Sequence, residues 1–397
     1  MKKMLLFFFF FANNLLLAGC WDRTEVNDVT LITGVGIDKK NENTIELTAE
    51  VYIPKALGAG GGAGGGAGGG GSPPETIIRS GKGKTIADAI SNLQEKIPRE
   101  VFWGHTKVIV IGEKLAKAGI REPLDFLART PQTRLRSNVF VAKGKAKDIM
   151  ALLPPLESSS SEVLRELAAS KVLMDITLKD VLQMLSGDAQ AAAVPMVTID
   201  PAAKGLEPLQ TVSYINQTAI FKKDKMIGQI SDKLTRGVLW TRNEIKQATV
   251  TIKSKEGKGN VSYRLLRANT ELIPEIKYGK WKMKVKVITE DDIILNGTDL
   301  DLTTPKFTQM LQKDLEKDLK YRISQTLEKV QKELKVDILG FSEEFHRKYP
   351  QEWKKAKKDW DEIFPSVEVT FDMKATVRRP GLSTTPQGLP EDEVKKK

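Results

Sequence analysis

The sequence predicts an α+β protein: three mixed α/β domains behind an export signal, the last with an antiparallel sheet packed against a long helix. Three observations carry this expectation. A length of 397 residues exceeds what one ordinary hydrophobic core organises. Short β-rich runs alternate with segments of helical spacing, so no single period rules the chain. Near the C-terminus two strands with one polar face flank a long apolar helical stripe, the pattern of a sheet with one covered face. With 40% hydrophobic and 28% charged residues, the composition excludes a polytopic membrane protein or a wholly disordered chain.

Met1-Lys2-Lys3 gives a basic start, and Met4 to Ala12 is an unbroken apolar run holding the phenylalanines Phe7 to Phe11. The run falls far short of the ~20 apolar residues of a membrane-spanning helix, so it reads as an export signal. Leu17-Ala18-Gly19-Cys20 follows and resembles the bacterial lipobox. That resemblance implies a lipoprotein signal peptide over 1–19, with Cys20 as the new N-terminus bearing S-diacylglycerol and an N-acyl chain; the alternative is a small buried cysteine beside an ordinary cleavage site. Several acyl chains matter because one gives only marginal membrane binding, at ~0.8 kcal/mol per buried methylene. The formal charge of +11, lowered by two when Lys2 and Lys3 leave with the signal, points to anionic membrane lipids as a contact.

The first domain is expected over 20–155. Leu31 to Asp38 and Thr44 to Ile53 are β-rich runs around the polar turn 39–43, a hairpin signal. Gly58 to Gly71 is all Gly or Ala and offers no side chains to bury, so it is expected to be a flexible Gly/Ala-rich loop. Ile86, Ile90, Leu93 and Ile97 recur at helical spacing, with Thr85 near the cap. Lys107 to Ile111 is a buried-strand run closed by Gly112. Leu115 to Leu127 suggests two short helices split near Gly119 and Pro123, and Leu135 to Ala142 another strand.

A middle domain is expected over 156–255. Pro154-Pro155 and Ser158 to Ser161 mark the boundary, the serines also standing where helix N-caps belong, ahead of Leu164 and Leu167. Thr177 opens a second helix carrying Val181, Leu182 and Leu185 and stopped by Gly187. Tyr214 to Ile230 reads as a hairpin turning at Lys222 to Lys225, and Asp232 to Trp240 as a helix.

The third domain, 256–380, has the clearest patterns. Trp281, Met283, Val285 and Val287 alternate with lysines, and Val367, Val369, Phe371, Met373, Ala375 and Val377 alternate with polar residues. Between them Thr304-Pro305 starts a long helix striped by Phe307, Leu311, Leu315, Leu319, Ile323 and Leu327. The stripe lacks sustained heptads, which favours packing within the domain over a coiled-coil partner. Trp353, Trp360 and Phe364 mark one face of a further helix, and 381–397 is expected to be a flexible tail.

Motifs for chemistry fail one by one. A single cysteine and two histidines, His105 and His346, exclude an internal disulfide framework and a Cys/His zinc cluster. The third glycine of a dinucleotide fingerprint begun at Gly34-Val35-Gly36 falls on Lys39, and the first glycine of a phosphate loop ending at Gly83-Lys84-Thr85 falls on Ile78. No Gly-x-Ser-x-Gly elbow occurs, so no catalytic residue, metal or cofactor is assigned. His105, beside Trp103, reads as a hydrogen-bonded structural histidine. Lys354, Lys355, Lys357 and Lys358 interleave with Trp353 and Trp360, but an amphipathic helix with tryptophans inward explains them better than stacking on nucleic acid, which is not expected as a partner.

These residues resemble the Ger(x)C spore germination lipoproteins, the C subunits of germinant receptors. The likeness begins with the lipobox and Cys20 to Asp28, and continues through Gly34-Val35-Gly36-Ile37-Asp38, His105 to Glu113 and Leu124-Asp125-Phe126-Leu127. It ends with Asp337-Ile-Leu-Gly340-Phe341, Pro350-Gln-Glu-Trp353 and Trp360 before Phe364. The resemblance implies a lipid-anchored protein at the outer face of the spore inner membrane. It implies work beside two integral membrane subunits, of A and B type, without enzyme activity, and Cys20 is the one functional residue it carries across. Competing readings are a solute-binding lipoprotein of a transporter, which needs two similar lobes and a cleft, and a cell-envelope hydrolase using carboxylates.

Overall fold

The computed structural model describes residues 28–53, 75–379, 389–390 and 392–395. Cys20 and the Gly/Ala-rich run 58–71 lie outside them.

Strands β1 (Val29–Asn41), β2 (Thr44–Tyr52) and β3 (Thr76–Gly83) form an antiparallel meander whose first turn is the predicted hairpin. Helix α1 (Ile86–Gln94) starts at Thr85, whose side chain accepts the Asp88 amide proton. The short β4 (Glu100–Phe102) and then β5 (Val108–Gly112) return parallel to β1. Helices α2 (Glu113–Ala118) and α3 (Arg121–Arg129) part at Gly119, where φ is +139°, and β6 (Asn138–Ala142) adds parallel to β5. Helices α4 (Ala146–Met150), α5 (Ser160–Ala169) and α6 (Leu178–Ser186) follow. Ser159 caps α5, and Thr177 with Asp180 forms a capping box on α6, so both serine and threonine signals act as read.

Strands β7 (Ala191–Ile199), β8 (Ser213–Lys222) and β9 (Lys225–Ser231) then join the same sheet, whose order is β3-β2-β1-β5-β6-β7-β8-β9 with β4 beside β1. The expected boundary at 155/156 therefore falls inside one nine-stranded layer. The physical link is the parallel ladder of β6 with β7, Val141 opposite Met196 and Ala142 opposite Val197, which joins strands far apart in sequence. Both faces of the sheet are covered, as its parallel centre requires. Val108, Val110 and Phe140 pack under Ile149, Met150 and Leu164 of α4 and α5, while Ile109, Ile111 and Val139 belong to the larger core shared with α2, α3 and α6.

The close seat of α4 and α5 depends on glycine in β1. A Cβ on Gly34 would stand 1.9 Å from Ser161 Oγ and 2.7 Å from Met150 Cε, and one on Gly36 would stand 3.1 Å from Met150 Cγ. Asp38, one turn of the pleat further on, accepts the Ala146 and Lys147 amides at 2.8 and 2.9 Å, seating the N-terminus of α4. Burial raises the Asp38 carboxyl above its usual range against the pull of these bonds. The Gly34 to Asp38 motif is thus a docking groove with a helix cap at its end, which is why it fails as a dinucleotide fingerprint.

Helix α7 (Asp232–Thr241) leads to the second sheet, β10 (Thr249–Lys253), β11 (Asn260–Lys277), β12 (Lys280–Asn296) and β13 (Glu368–Arg379) in that order. The first three strands are antiparallel as expected, whereas β13 runs parallel to β12. Alternation reports which face is wet and is silent on direction; the long helical connection before β13 lets it re-enter from the same end as β12. That connection begins with α8 (Pro305–Leu327), continues in a π-helical turn over Glu328–Glu333, and buries Phe307, Leu311, Leu315, Leu319 and Ile323 as the stripe foretold. Gln312 and Glu316 of α8 accept the Val377 and Ala375 amides at 2.9 and 3.0 Å, capping the exposed edge of β13. The further helix predicted around Trp353 and Trp360 follows α9 (Phe341–Lys348) across Pro350 and is itself broken into α10 (Pro350–Ala356) and α11 (Trp360–Ile363) by a 3-10 turn over Lys357–Asp359. Of the expected loose tail, 392–395 dock: Lys395 exchanges backbone bonds with Asp299 and Asp301, and Val394 is buried.

Two outcomes test this packing. Gly34→Ala is expected to destabilise the protein by roughly 1–3 kcal/mol through overpacking, read as a lowered thermal midpoint. Asp291 on β12 is buried, accepts the Thr289 hydroxyl at 2.6 Å, and is raised by that burial from 3.8 to about 6. The folded chain therefore holds a proton that the unfolded chain releases, so this group's contribution to stability falls as pH rises from about 4 to 6. Asp291→Asn should flatten the midpoint over that window and raise it at neutral pH.

Candidate functional site

Cys20, the one predicted site residue, precedes the first described residue, Asp28, by eight positions. The chain enters the fold at the starting end of β1, where β4, β5 and β6 also begin. Beside this entry lies a recess of about 370 Å³ lined, with Val101, by Val29, Leu31, Glu100, Phe102, His105 and Gln132. His105 is exposed, with its ring 5.9 Å from that of Phe102. It makes no hydrogen bond among the described residues, contrary to the expected hydrogen-bonded histidine. The strand beginning at Val108 buries its own side chains, while His105 stands at the rim between buried neighbours.

A second concavity, about 330 Å³, opens where the two sheets meet, lined among others by Ala191, Thr241, Thr270, Asp337 and Glu343. Asp337 is its densest point of polar order. Oδ1 accepts the amides of Leu339, Gly340 and Phe341 at 3.1, 3.1 and 3.2 Å; Oδ2 accepts the Ser342 amide at 2.7 Å and the Trp360 indole N–H at 3.1 Å. Gly340 supplies the left-handed turn, φ +84°, that points these amides inward ahead of α9. Burial raises the Asp337 carboxyl, and burial together with the Asp337 charge raises Glu343. Raised carboxyls in a cleft are the mark of a candidate general acid. Here, however, both oxygens of Asp337 are committed to five donors, and Glu343 accepts the Ser342 hydroxyl at 2.7 Å. The geometry is that of a helix cap, so the carboxylates expected of an envelope hydrolase find no free pair at this place.

Around the cap, Trp281, Phe345, Trp353 and Trp360 pack edge to face, with centroids of Trp281 and Phe345 at 4.7 Å and of Trp353 and Trp360 at 5.0 Å. Both helix tryptophans are buried and Lys354, Lys355, Lys357 and Lys358 are exposed, which removes the stacking platform that a nucleic-acid reading needs. His346 lies against Trp353 and meets Asp188 at 2.5 Å; Lys222 pairs with Asp361. These two side-chain contacts stitch the helices of the second sheet to the first. Sequence reasoning had marked Asp337 and Gly340 only as a pattern; a carboxylate just ahead of a glycine-started helix was the available signal of a cap. Asp337→Ala strands four backbone amides and an indole N–H, and is expected to cost roughly 2–4 kcal/mol, read by tryptophan fluorescence during denaturation.

The first sheet of nine strands and the second of four are dissimilar, unlike the paired lobes of a solute-binding protein. No helix among the described residues is long and apolar enough to cross a membrane. Comparison with known proteins fits this architecture. The family model "Spore germination protein N-terminal domain" matches residues 22–199, and "Spore germination B3/ GerAC like, C-terminal" matches 216–381. Spore germination protein KC of Bacillus subtilis (strain 168) is 30% identical, covering 97% of this chain and 98% of its own length. Spore germination proteins B3 and A3 of the same organism are each 25% identical, over 90% and 92% of this chain and 93% and 94% of their own. A crystal structure of the GerBC protein shares the fold, with a TM-score of 0.58 at 21% identity over 87% of this chain and 97% of that one. With two family models of spore germination proteins matched in order along the chain, the second beginning within β8 of the first sheet, and a relative matched nearly end to end, the chain belongs to the Ger(x)C family of spore germination proteins.

Proposed function

We propose that this protein is the lipid-anchored subunit of a spore germinant receptor, held at the outer face of the spore inner membrane and acting by assembly with two integral membrane subunits. The observation that carries the reading is Cys20: the sole cysteine closes an apolar leader, immediately before the family-matched region begins at residue 22. S-diacylglycerol on its sulfur and an N-acyl chain on its amine give the two attachments that stable anchoring takes. The relatives are spore germination proteins by name, which supports a role in germination. The net positive charge favours approach to anionic lipids.

Replacing the gene by a Cys20→Ala allele, in spores lacking related receptors, tests both halves. Spores are expected to form normally, the protein to leave the membrane fraction, and the nutrient response to fall sharply. Unaltered membrane retention would refute the anchor; an unchanged response on deleting the whole gene would refute the receptor role.

A further inference from the structure

A feature at the entry end of the first sheet carries a sharper statement, resting on the lipid-anchor reading above. Beside the His105 recess lies another, about 410 Å³, lined by Thr106, Lys107, Arg134, Arg136, Ser137 and Arg165 together with Asn138 and Glu162. The two are neighbours through consecutive residues, His105 with Thr106, and through Gln132 and Arg134 on one connecting turn. Glu162 is the one acid in the lining, and it is already claimed. Lys107 reaches it at 2.8 Å and Arg165 donates to it at 3.0 Å, and this pairing, Arg165 foremost, holds its carboxyl down at about 2. Nearby Glu166 is engaged by Arg165, and Asp175 accepts the Asn138 side chain at 2.8 Å.

Arg134 and Arg136 have no ion-pair partner among the described residues, and Leu135 between them is 45% exposed. Thr106 is only 3% exposed, yet its hydroxyl finds no hydrogen-bond partner. Two free guanidiniums, an idle buried hydroxyl and an exposed leucine thus converge where strands β1, β5 and β6 begin. Asp28 at this same end stands eight positions after the anchor, a span of at most roughly 30 Å of extended chain.

We propose that this strand-start end is the face laid on an anionic phospholipid bilayer, with lipid phosphates taken by Arg134 and Arg136 and Leu135 entering the headgroup zone. Charge complementarity selects this occupant: guanidiniums bind phosphate in a fork, and an anionic leaflet lies within reach of the tether. The recess at Val29, Leu31 and Phe102 continues the surface with apolar side chains; the acid in its lining, Glu100, is exposed beside them, so the attraction to the leaflet rests on the two guanidiniums.

The test uses the full-length lipoprotein with its acyl chains, reconstituted into vesicles of phosphatidylcholine alone or with phosphatidylglycerol added. Flotation reports the anchor, and hydrogen exchange reports the face. The Leu135 and Arg136 amides make no backbone bond among the described residues, so they start fast. Their exchange is expected to slow roughly fivefold or more on phosphatidylglycerol vesicles, consistent with about 1 kcal/mol per basic side chain near an anionic leaflet. The slowing should vanish in Arg134→Gln/Arg136→Gln and persist in Arg134→Lys/Arg136→Lys. Flotation with equal exchange on both vesicles overturns the face and leaves the anchor standing; failure to float overturns both. Slowing by inorganic phosphate on neutral vesicles would assign the recess to a soluble anion and overturn the bilayer assignment.

Discussion

Three helix N-termini in this protein are seated on buried carboxylates, two sent from far back in the chain and one standing just ahead of its helix, and the packing of both sheets depends on that interaction. Asp38 holds α4, Asp337 holds α9, and Glu50, 1% exposed on β2, accepts the Ser161 amide at 3.3 Å near the start of α5 while its other oxygen takes the Thr33 hydroxyl at 2.6 Å. A carboxylate in such a place satisfies orphan amides and meets the positive end of the helix dipole at once. Burial makes the charge expensive, which is why Asp38 and Asp337 are raised; leaving the amides bare in the same dry setting costs as well. The carboxylates also fix where each helix begins, and the glycines of β1 then allow α4 and α5 to come down to van der Waals contact.

This arrangement explains why motifs that look chemical are architectural. Gly34-Val35-Gly36-Ile37-Asp38 brings two small residues and an acid together as a nucleotide site does, but the acid is turned onto α4 and the glycines are filled by Met150 and Ser161. Asp337 to Phe341 gathers amides around an anion, and the anion is the protein's own side chain. A chain that occupies its best ligand-like nests with its own carboxylates has committed them to rigidity, leaving exposed surfaces as the places where partners are met.

Most local elements were legible in the sequence because their causes are local. The capping box at Thr177, the hairpin at Lys222 to Lys225 and the stripe from Phe307 to Leu327 each depend on residues a few positions apart. The rest was hidden because its causes are long-range. Ala146 and Asp38 are 108 residues apart, and Ser161 and Glu50 are 111, so no spacing rule joins them. The continuation of the sheet across the expected boundary rests on two facing pairs in β6 and β7, and the direction of β13 is invisible to an alternation that reads the same forwards and backwards. At the candidate site, the expectation at Cys20 rests on sequence position alone, whereas the bare guanidiniums of Arg134 and Arg136 emerge only once Glu162 is seen to be taken by Lys107 and Arg165.

The connection between β2 and β3 has a different bearing. Tyr52 faces Thr76, and the Ile53 amide bonds the Glu75 carbonyl at 2.8 Å, so the sheet itself holds the two ends of the connection over 54–74 together. Closing such a loop costs only about 0.6 kcal/mol more for each doubling of its length. Sequence drift can therefore lengthen or shorten that stretch with little penalty. The same clamp makes Ile53 and Glu75 natural junctions between which to splice an epitope or a fluorophore to follow the protein.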